Sequence, residues 1–222
     1  LFAPQGNLPI RNYSLAKFPS GVETMHASNY AKELNAKPWP CKYCVIQCHN
    51  HVTVEEGPYA YSGKGPEYES FAMVGFNTMV DDVKAVAYAC ELANKYTLDC
   101  ISLGVVIAWA MECYEKGVIT KEDTYGLDLT WGNAEAMVEM VKKIGERADG
   151  LGYLLGEGCK IASERIGQGS EDWAVQMKGQ EIAAHNWRAQ YISALNYCTG
   201  VAAGPNHERG NSQHIWLGHI KL

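Results

Sequence analysis

The segment from about Ser102 to Lys116 is almost entirely apolar, and it constrains the fold more than any other part of the sequence. A helix with apolar residues around its whole circumference must be surrounded by other protein elements. Gly117 follows directly, where a helix commonly ends in a left-handed cap. We therefore predict a helix that is buried on all sides.

Amphipathic patterns predict helices on both sides of this segment. Asp81 or Asp82 can cap a helix that has one apolar face and ends near Tyr96. Similar spacing predicts helices over about 25–34, 133–147 and 150–166, the last interrupted by glycines. The Pro- and Gly-rich stretches 1–20 and 59–66 are predicted to be loops.

No persuasive alternating strand pattern and no internal repeat is present. The predicted fold class is therefore mainly α, with long loops. A polar stretch at 167–172 predicts a boundary between a helical domain over 1–172 and the beginning of a further, mostly helical domain over 173–222.

The formal charge of −6 argues against a nucleic-acid-binding surface, which requires clustered Lys and Arg. The longest apolar stretch, Ile101 to Met111, is about half the length of a bilayer span, and no basic segment followed by an apolar signal core begins the chain. We expect a soluble, cytoplasmic protein without a membrane span. Leu1 in place of Met, and an end directly after a motif, predict an internal piece of a longer chain.

Three of the eight cysteines are clustered, as Cys41, Cys44 and Cys48, after the segment Pro38-Trp39-Pro40. Proline favours an extended entry into the loop that follows. Thiolates in C-x2-C-x3-C order suit three corners of a 4Fe-4S cluster whose fourth ligand comes from a distant position. This order differs from the C-x3-C-x2-C of radical enzymes that use S-adenosylmethionine.

Two other interpretations of the cysteine loop remain open. Cys41, Cys44 and Cys48 with His49 or His51 could form a structural zinc site, since Cys3His zinc is common. Three thiols without a metal are the other alternative. Adjacent Cys48 and His49 cannot easily bind one metal together, which favours a fourth ligand from elsewhere.

Several motifs in order along the chain resemble signatures of the aldehyde:ferredoxin oxidoreductases. Besides the cysteine loop, they are Leu8-Pro9-Ile10-Arg11-Asn12-Tyr13, Gly65-Pro66-Glu67-Tyr68-Glu69-Ser70, Trp109 to Gly117, Trp131-Gly132-Asn133, Lys178-Gly179-Gln180-Glu181 and Asn196-Tyr197-Cys198-Thr199. Each motif alone is weak, but six or more in register are specific. The resemblance covers most of the chain, and implies the family's second domain and the opening of its third.

The resemblance implies a catalytic subunit in which two pterins hold tungsten, or less often molybdenum, near one 4Fe-4S cluster. Glu69 matches the family's active-site Glu, which would exchange a proton with water or substrate. His207, in Gly204-Pro205-Asn206-His207-Glu208-Arg209, matches its active-site His and would polarise a carbonyl. A solvated or capping Glu69 is the alternative, with Glu67 as its nearest rival; His185, His214 and His219 have no comparable context.

The family's Asp-x-x-Gly-Leu-Asp pterin motif corresponds to the segment that begins at Asn94. Leu98 and Asp99 are retained, whereas Asn94 replaces the first Asp and Thr97 replaces the Gly. Arg209 matches a basic position that contacts the pterin. From the residues alone, Asp99 could equally be a helix cap before Ser102.

Three functions follow as expectations. The first is oxidation of aldehydes to carboxylic acids, with ferredoxin or another iron-sulfur electron-transfer subunit as acceptor, in an oligomer. The second is the related tungsten subunit that reduces benzoyl-coenzyme A. The third, from another class, is a zinc-stabilised helical interaction domain without catalysis. The 222-residue chain alone is expected to be inactive.

Overall fold

The computed structural model describes residues 3–189 and 191–199. Helices dominate this part of the chain, which confirms that the fold is mainly α. The elements in order are α1 (Pro19–Thr24), α2 (Ala27–Glu33), β1 (Lys37–Pro38), β2 (Asn50–Val54), β3 (Tyr61–Lys64), α3 (Tyr68–Val74), α4 (Val83–Lys95), α5 (Cys100–Glu115), α6 (Ala134–Gly145), α7 (Leu151–Leu155), α8 (Cys159–Ile166), β4 (Gln176–Met177), β5 (Gln180–Glu181) and α9 (Tyr191–Thr199). Single 3-10 turns lie at Ala3–Gln5, Phe76–Thr78, Ser170–Trp173 and Trp187–Ala189.

Helix α5 is the predicted central helix, and other elements cover it from several sides. Helix α3 packs along it, and α8 and β5 also contact it. Trp109, at its middle, is fully buried and donates its ring N–H to the carbonyl of Ser170 at 3.0 Å. Gly117 follows the helix with φ of +72°, as predicted for a left-handed cap.

Close approach of α3 to α5 depends on Gly104. A Cβ added at Gly104 would lie 2.5 Å from the main-chain carbonyl of Met73, too near for any side chain. The carbonyl of Gly104 also accepts a hydrogen bond from Asn77, whose amide nitrogen lies 3.3 Å away. The two helices therefore touch backbone to backbone at this point.

The predicted capping residues begin the surrounding helices. Asp82 accepts the backbone N–H groups of Lys84 and Ala85 at 2.9 and 3.0 Å, so it, rather than Asp81, is the cap of α4. Asn133 caps α6 in the same way, through the N–H of Ala136 at 3.1 Å. Helix α6 lays its apolar face on α4, as its periodicity predicts.

The structure refines the bounds of two predicted helices. The helix predicted over 25–34 is α2, which begins after His26 because that residue has extended backbone and caps the helix through Ser28. The short helix α1 before it was not predicted. The segment 150–166 forms α7 and α8, because Gly158 adopts a positive φ of +91° that a continuing helix cannot contain.

A three-stranded antiparallel sheet in the order β1-β2-β3 was not predicted. Only Val52 and Val54 alternate as buried residues in β2, which is too short a pattern to recognise in a sequence. The tight join of β3 to α3 requires Gly65, because a Cβ there would lie 2.5 Å from the Tyr30 hydroxyl and 2.7 Å from Val52. The sheet therefore leads directly into the helix that carries Glu69.

The segment after residue 173 lies against the preceding part of the chain. β4 and β5 form a hairpin whose turn, Lys178-Gly179, has positive φ at both residues. Asn186 then donates its backbone N–H to the carbonyl of Asn7 at 2.9 Å, and Arg188 donates to the carbonyl of Tyr13 at 2.9 Å. These bonds tie the beginning of the chain to residues 181–189.

In the part of the chain that the structure covers, no single helix is long and apolar enough to cross a bilayer. Helices α4 and α5 reach the necessary length and composition only as a pair, and they meet at 119°.

Candidate active site and cofactor sites

Glu69 lies in the first turn of α3, and its carboxylate is largely buried and paired. The backbone N–H of Ala184 donates to Oε2 at 2.7 Å, and Oε1 lies 3.0 Å from Nε2 of His185. The side chains of Glu69 and His185 are 15% and 7% exposed. Glu69 is therefore not the solvated or capping residue that was its alternative.

Glu67, the rival candidate, has the capping role instead. It is exposed, and it precedes α3 and accepts the backbone N–H of Ser70 at 3.3 Å. An N-cap carboxylate satisfies a free amide of the first turn, which is a structural function. The structure thus separates two neighbouring carboxylates that the sequence could not distinguish.

Tyrosines line the surroundings of Glu69. The ring of Tyr68 lies against His185, with centroids 5.5 Å apart, and its hydroxyl donates to the carbonyl of Ala184 at 2.9 Å. The Tyr13 hydroxyl lies within hydrogen-bonding distance of the carbonyls of Ile182 and Ala183, at 2.9 and 2.5 Å. These contacts hold residues 182–185 over the start of α3.

Burial and nearby negative charge raise the pKa of each of these tyrosines. For Tyr13 the main cause is burial, followed by its proximity to Tyr197, Glu69 and Tyr68. Burial followed by Glu69 likewise raises the pKa of Tyr68 and of Tyr197 well above the usual range. The tyrosines around Glu69 are therefore neutral hydrogen-bonding groups at physiological pH.

His185 is the functional candidate that sequence reasoning missed. Its Nδ1 lies 3.0 Å from the side-chain amide nitrogen of Asn7, which is 178 residues away in the sequence. The signature motif 178–181 ends just before it, but no pattern in the residues at 185 indicated a partner for Glu69. His207 and Arg209, the other predicted residues of the site, lie outside the described residues.

Cys41, Cys44 and Cys48 lie in the loop that joins β1 to β2, as the proline-rich entry predicts. Lys37 and Pro38 pair with His51 and Asn50 at its base, and the loop curls through a turn in which the N–H of Cys44 meets the carbonyl of Cys41 at 3.0 Å. All three thiols are free of disulfides.

Two features of this loop suit thiolate ligands. The backbone N–H groups of Ile46 and Gln47 donate to the sulfur of Cys44, and these hydrogen bonds lower the pKa of its thiol. Tyr43 and Gln47 adopt left-handed backbone conformations, which turns the chain sharply between the cysteines. Thiolates with N–H···S support are a suitable donor set for an iron-sulfur cluster.

The structure does not bring three of these ligands to one point. Across 3–189 and 191–199, no group of three His, Cys, Asp or Glu side chains is arranged to hold a metal ion. The Cys41 sulfur lies 3.6 Å from Nδ1 of His49, one of the two histidines named in the zinc interpretation.

Leu98 and Asp99 line an open cleft of about 280 Å³ between the loop joining α4 to α5, helix α5 itself and the loop joining α7 to α8. Asp99 accepts the N–H of Ser102 at 2.8 Å, so it caps α5 through one oxygen, as its alternative interpretation predicted. Asn94 is exposed at the end of α4 and is not among the residues that line the cleft. The structure therefore groups two of the three described pterin candidates.

Thr97 explains why the family motif has glycine at its position. Its φ of +57° is left-handed. The N–H of Thr97 donates to the carbonyl of Asn94 at 3.2 Å, and the N–H of Leu98 donates to the carbonyl of Ala93 at 2.8 Å. This is the pattern of a helix end that prefers glycine. Threonine retains the turn at a cost in backbone strain.

Glu181 is a second buried carboxylate, at the inner wall of the same cleft. It accepts the Ser102 hydroxyl at 2.9 Å and the N–H of Cys159 at 2.6 Å. A Cβ at Gly158 would lie 3.1 Å from its carboxylate. Glycine here leaves room in the cleft, which suits a planar cofactor held close to the backbone.

The starts of α3 and α5 adjoin each other. The Ser70 hydroxyl bonds the Cys100 thiol, and this bond, after a larger one from Cys90, lowers the pKa of Cys100. Ser70 follows Glu69, and Cys100 follows Asp99. The carboxylate site and the cleft are therefore neighbours.

Comparison with known proteins identifies the same family over nearly the whole chain. Residues 1–218 match the family model described as aldehyde ferredoxin oxidoreductase, domains 2 and 3. The tungsten-containing aldehyde ferredoxin oxidoreductase of Pyrococcus abyssi is 34% identical over 202 residues, which are 90% of this chain and 32% of that protein. The chain thus spans about a third of the length of the curated relatives it matches.

Two further relatives are subunits or parts of complexes. The WOR-like subunit of an aliphatic sulfonate oxidoreductase from Pyrococcus furiosus is 29% identical over 203 residues, covering 88% of this chain and 32% of that one. The active-site complex BamBC of benzoyl-coenzyme A reductase, solved with 1,5-dienoyl-CoA, is 25% identical with a TM-score of 0.72, over 89% of this chain and 30% of that one. The chain belongs to the aldehyde ferredoxin oxidoreductase family, and residues 1–218 match the model that describes domains 2 and 3 of that family.

Proposed function

We propose that this chain is part of a tungsten-pterin, iron-sulfur oxidoreductase that oxidises aldehydes to carboxylic acids and passes the electrons to ferredoxin. The observation that carries the proposal is the largely buried carboxylate of Glu69, held by Ala184 and His185 at the start of α3. Family membership supplies the reaction class, and the site supplies a fixed proton-accepting group.

Cys41, Cys44 and Cys48 would hold the 4Fe-4S cluster, with a fourth ligand from elsewhere. Leu98 and Asp99, with Asn94 and Arg209 as further candidates, would contact a pterin. The thiols with their N–H donors and the glycine-lined cleft suit these groups chemically, and the three thiols would have to converge when the cluster binds. When bound, the metal-pterin supplies the two-electron redox chemistry, and the cluster carries the electrons away.

Oxidation of an aldehyde consumes one water and releases two protons with two electrons. Glu69 would take a proton from water or from the hydrated substrate, because its carboxylate lies within a largely buried, tyrosine-lined site. His207 would donate a hydrogen bond to the substrate carbonyl. Tyr13 and Tyr68 stay neutral, and their hydroxyls hold residues 182–184 beside the carboxylate.

The first experiment measures metals and activity in the anaerobically purified holoenzyme that contains this chain. Mass spectrometry is expected to find iron and tungsten, and aldehyde-dependent reduction of ferredoxin is expected in the assay. Zinc alone, at one per chain, would instead support the interaction-domain interpretation and contradict the proposal.

Glu69→Gln tests the proton-accepting role, with Glu67→Gln as its matched control two residues away. We expect Glu69→Gln to lower kcat by roughly 100-fold or more, because general base catalysis contributes on that order. Glu67→Gln keeps an oxygen that can cap α3 and should retain nearly full activity. Equal activity of the two variants would contradict the assignment of Glu69.

A second candidate keeps the cofactors and changes the substrate. The similarity of fold to the benzoyl-coenzyme A reductase complex favours a tungsten subunit that reduces an aromatic acyl-coenzyme A. Dienoyl-coenzyme A oxidation by the same holoenzyme, with no turnover of aldehydes, would select this candidate. The enzyme is proposed to be oligomeric, since two of the relatives are named as subunits or complexes.

A further inference from the structure

The carboxylate of Glu69 is one member of a buried array that continues through His185 to Asn7. Nε2 of His185 lies 3.0 Å from Glu69 Oε1, and its Nδ1 lies 3.0 Å from the amide nitrogen of Asn7. Asn7 is fully buried and His185 is 5% exposed. Residues from three separate parts of the chain therefore meet in one hydrogen-bonded line.

The hydrogen-bond directions follow from the partners. An amide nitrogen is only a donor, so a neutral imidazole that accepts from Asn7 at Nδ1 carries its proton on Nε2. That N–H then points at Glu69 Oε1. The other oxygen, Oε2, accepts from the backbone of Ala184 at 2.7 Å. Each carboxylate oxygen thus has its own donor.

The imidazole itself is held on several sides. The Tyr68 ring lies 5.5 Å from it, centroid to centroid, and the neighbouring N–H of Asn186 bonds the carbonyl of Asn7 at 2.9 Å. Tyr13 holds the carbonyls of the two residues before Ala184. The ring has little freedom to turn, so the direction of its Nε2–H is set by the fold.

We propose that His185 is a positioning residue that fixes the plane of the Glu69 carboxylate. The inference rests on the proposed role of Glu69 and adds the group that sets its geometry. Because His185 binds Oε1 and Ala184 binds Oε2, the plane of the carboxylate is fixed, and so is the direction in which it faces the reacting proton. A misplacement of about 1 Å can cost roughly 100-fold in rate, so the imidazole contributes to kcat without touching substrate.

The first test detects the hydrogen bond between His185 and Glu69 directly, in the full chain and without an activity assay. Two-bond 1H–15N correlation spectra report the tautomer and the hydrogen bonding of each histidine ring. We expect the His185 signals to show a proton on Nε2, and to shift when Glu69 is replaced by Gln. Signals that stay in place in Glu69→Gln would overturn the inference.

The second test compares two variants in the holoenzyme. In glutamine the amide nitrogen is as many bonds from Cα as Nε2 is in histidine, so His185→Gln keeps a donor for Oε1. His185→Leu removes it. We expect His185→Leu to lower kcat by roughly 100-fold with KM nearly unchanged, and His185→Gln to recover most of that loss.

The outcomes separate this inference from the proposed function. If Glu69→Gln is inactive while His185→Leu keeps the kcat of the wild type, Glu69 is needed and the positioning role is wrong. If Glu69→Gln is fully active, the proposed function of Glu69 fails, and the spectra alone decide whether the pair exists. If His185→Leu does not fold, an inactive but folded His185→Gln would overturn the inference, and an active one would support it.

Discussion

The Glu69 array and the cysteine loop differ in almost every physical respect. Both oxygens of Glu69 are bonded by donors within the described chain, and the surrounding tyrosines are buried or half-buried. In the loop, Tyr43, Val45 and Ile46 are 91%, 90% and 73% exposed, and Cys41 and Cys48 are exposed as well. One region is closed by its own contacts, and the other presents thiols and apolar side chains outward.

The difference indicates where each region obtains its stability. Buried polar groups lose much free energy when one partner is removed, because the other is left unsatisfied. Exposed side chains contribute little to the stability of the fold. We therefore expect substitutions in the Glu69 array to affect folding and catalysis together, and substitutions in the loop to affect metal binding alone.

The largest expected effect on stability is that of Glu69→Ala. It leaves the N–H of Ala184 and Nε2 of His185 without the partner each has now. The free energy of unfolding should fall by about 3 kcal/mol, since each such group costs about 1–3 kcal/mol. Urea denaturation followed by circular dichroism measures the change. A loss below about 1 kcal/mol would mean that Ala184 and His185 do not depend on Glu69 as a hydrogen-bond partner.

Tyr13→Phe should have the next largest effect. It removes the hydroxyl that holds the carbonyls of Ile182 and Ala183, and should cost about 1–2 kcal/mol at neutral pH. The same denaturation series measures it. Val45→Ser, in the exposed loop, is the contrasting control and should change stability by less than about 0.5 kcal/mol.

Alkaline pH sharpens the test of Tyr13. Because its pKa is raised in the fold, the unfolded chain releases the phenol proton first, and stability falls as pH rises above the usual value of 10.0. One proton corresponds to a slope of about 1.4 kcal/mol per pH unit. Tyr13→Phe lacks this slope, so its curve should converge on that of the wild type; parallel curves would contradict the burial of the phenol.

The third region is the cofactor cleft, and Thr97→Gly tests the backbone strain at Thr97, which lines it. A left-handed residue other than glycine costs about 1–2 kcal/mol, and the flexibility of glycine in the unfolded chain offsets part of the gain. We expect a stabilisation of about 0.5 kcal/mol. Thr97→Val, which keeps the branched Cβ and loses the hydroxyl, should not stabilise the protein in thermal unfolding.

The smallest expected effect on stability is that of Cys48→Ser in the loop. The free energy of unfolding of the chain should change by less than about 0.5 kcal/mol, because the side chain is exposed. The iron content of the anaerobically purified holoenzyme should nevertheless drop sharply. A destabilisation as large as that of Glu69→Ala would remove the distinction between the two regions.

The helices that the sequence predicted share strong local signals. Asp82, Asn133 and Gly117 mark ends that short-range chemistry decides, and the all-apolar pattern of α5 reports its burial directly. The sheet was not predicted because its register depends on pairing across the cysteine loop and across the loop 55–60. Helix α1 was not predicted, and the start of α2 depends on a cap formed by an unusual residue, His26.

Only the site residues that lie within a family motif could be predicted from the sequence. Family signatures pointed to Glu69, Leu98 and Asp99, which the structure brings to two adjoining helix starts. The partners of Glu69 are more than a hundred residues away, and nothing local at His185 indicates such a contact. Long-range pairing of buried polar groups is a property of the fold and leaves no periodic trace in the sequence.

The backbone contact at Gly104 has a consequence for Glu69. Helix α3, which carries Glu69, contacts α5 at Gly104. The distance between the two helices is therefore as short as it is because Gly104 has no Cβ. A Gly104→Ala substitution would push α3 away from α5 and so move the Glu69 carboxylate, while every polar side chain is retained. It would thus show how activity depends on the position of the carboxylate alone.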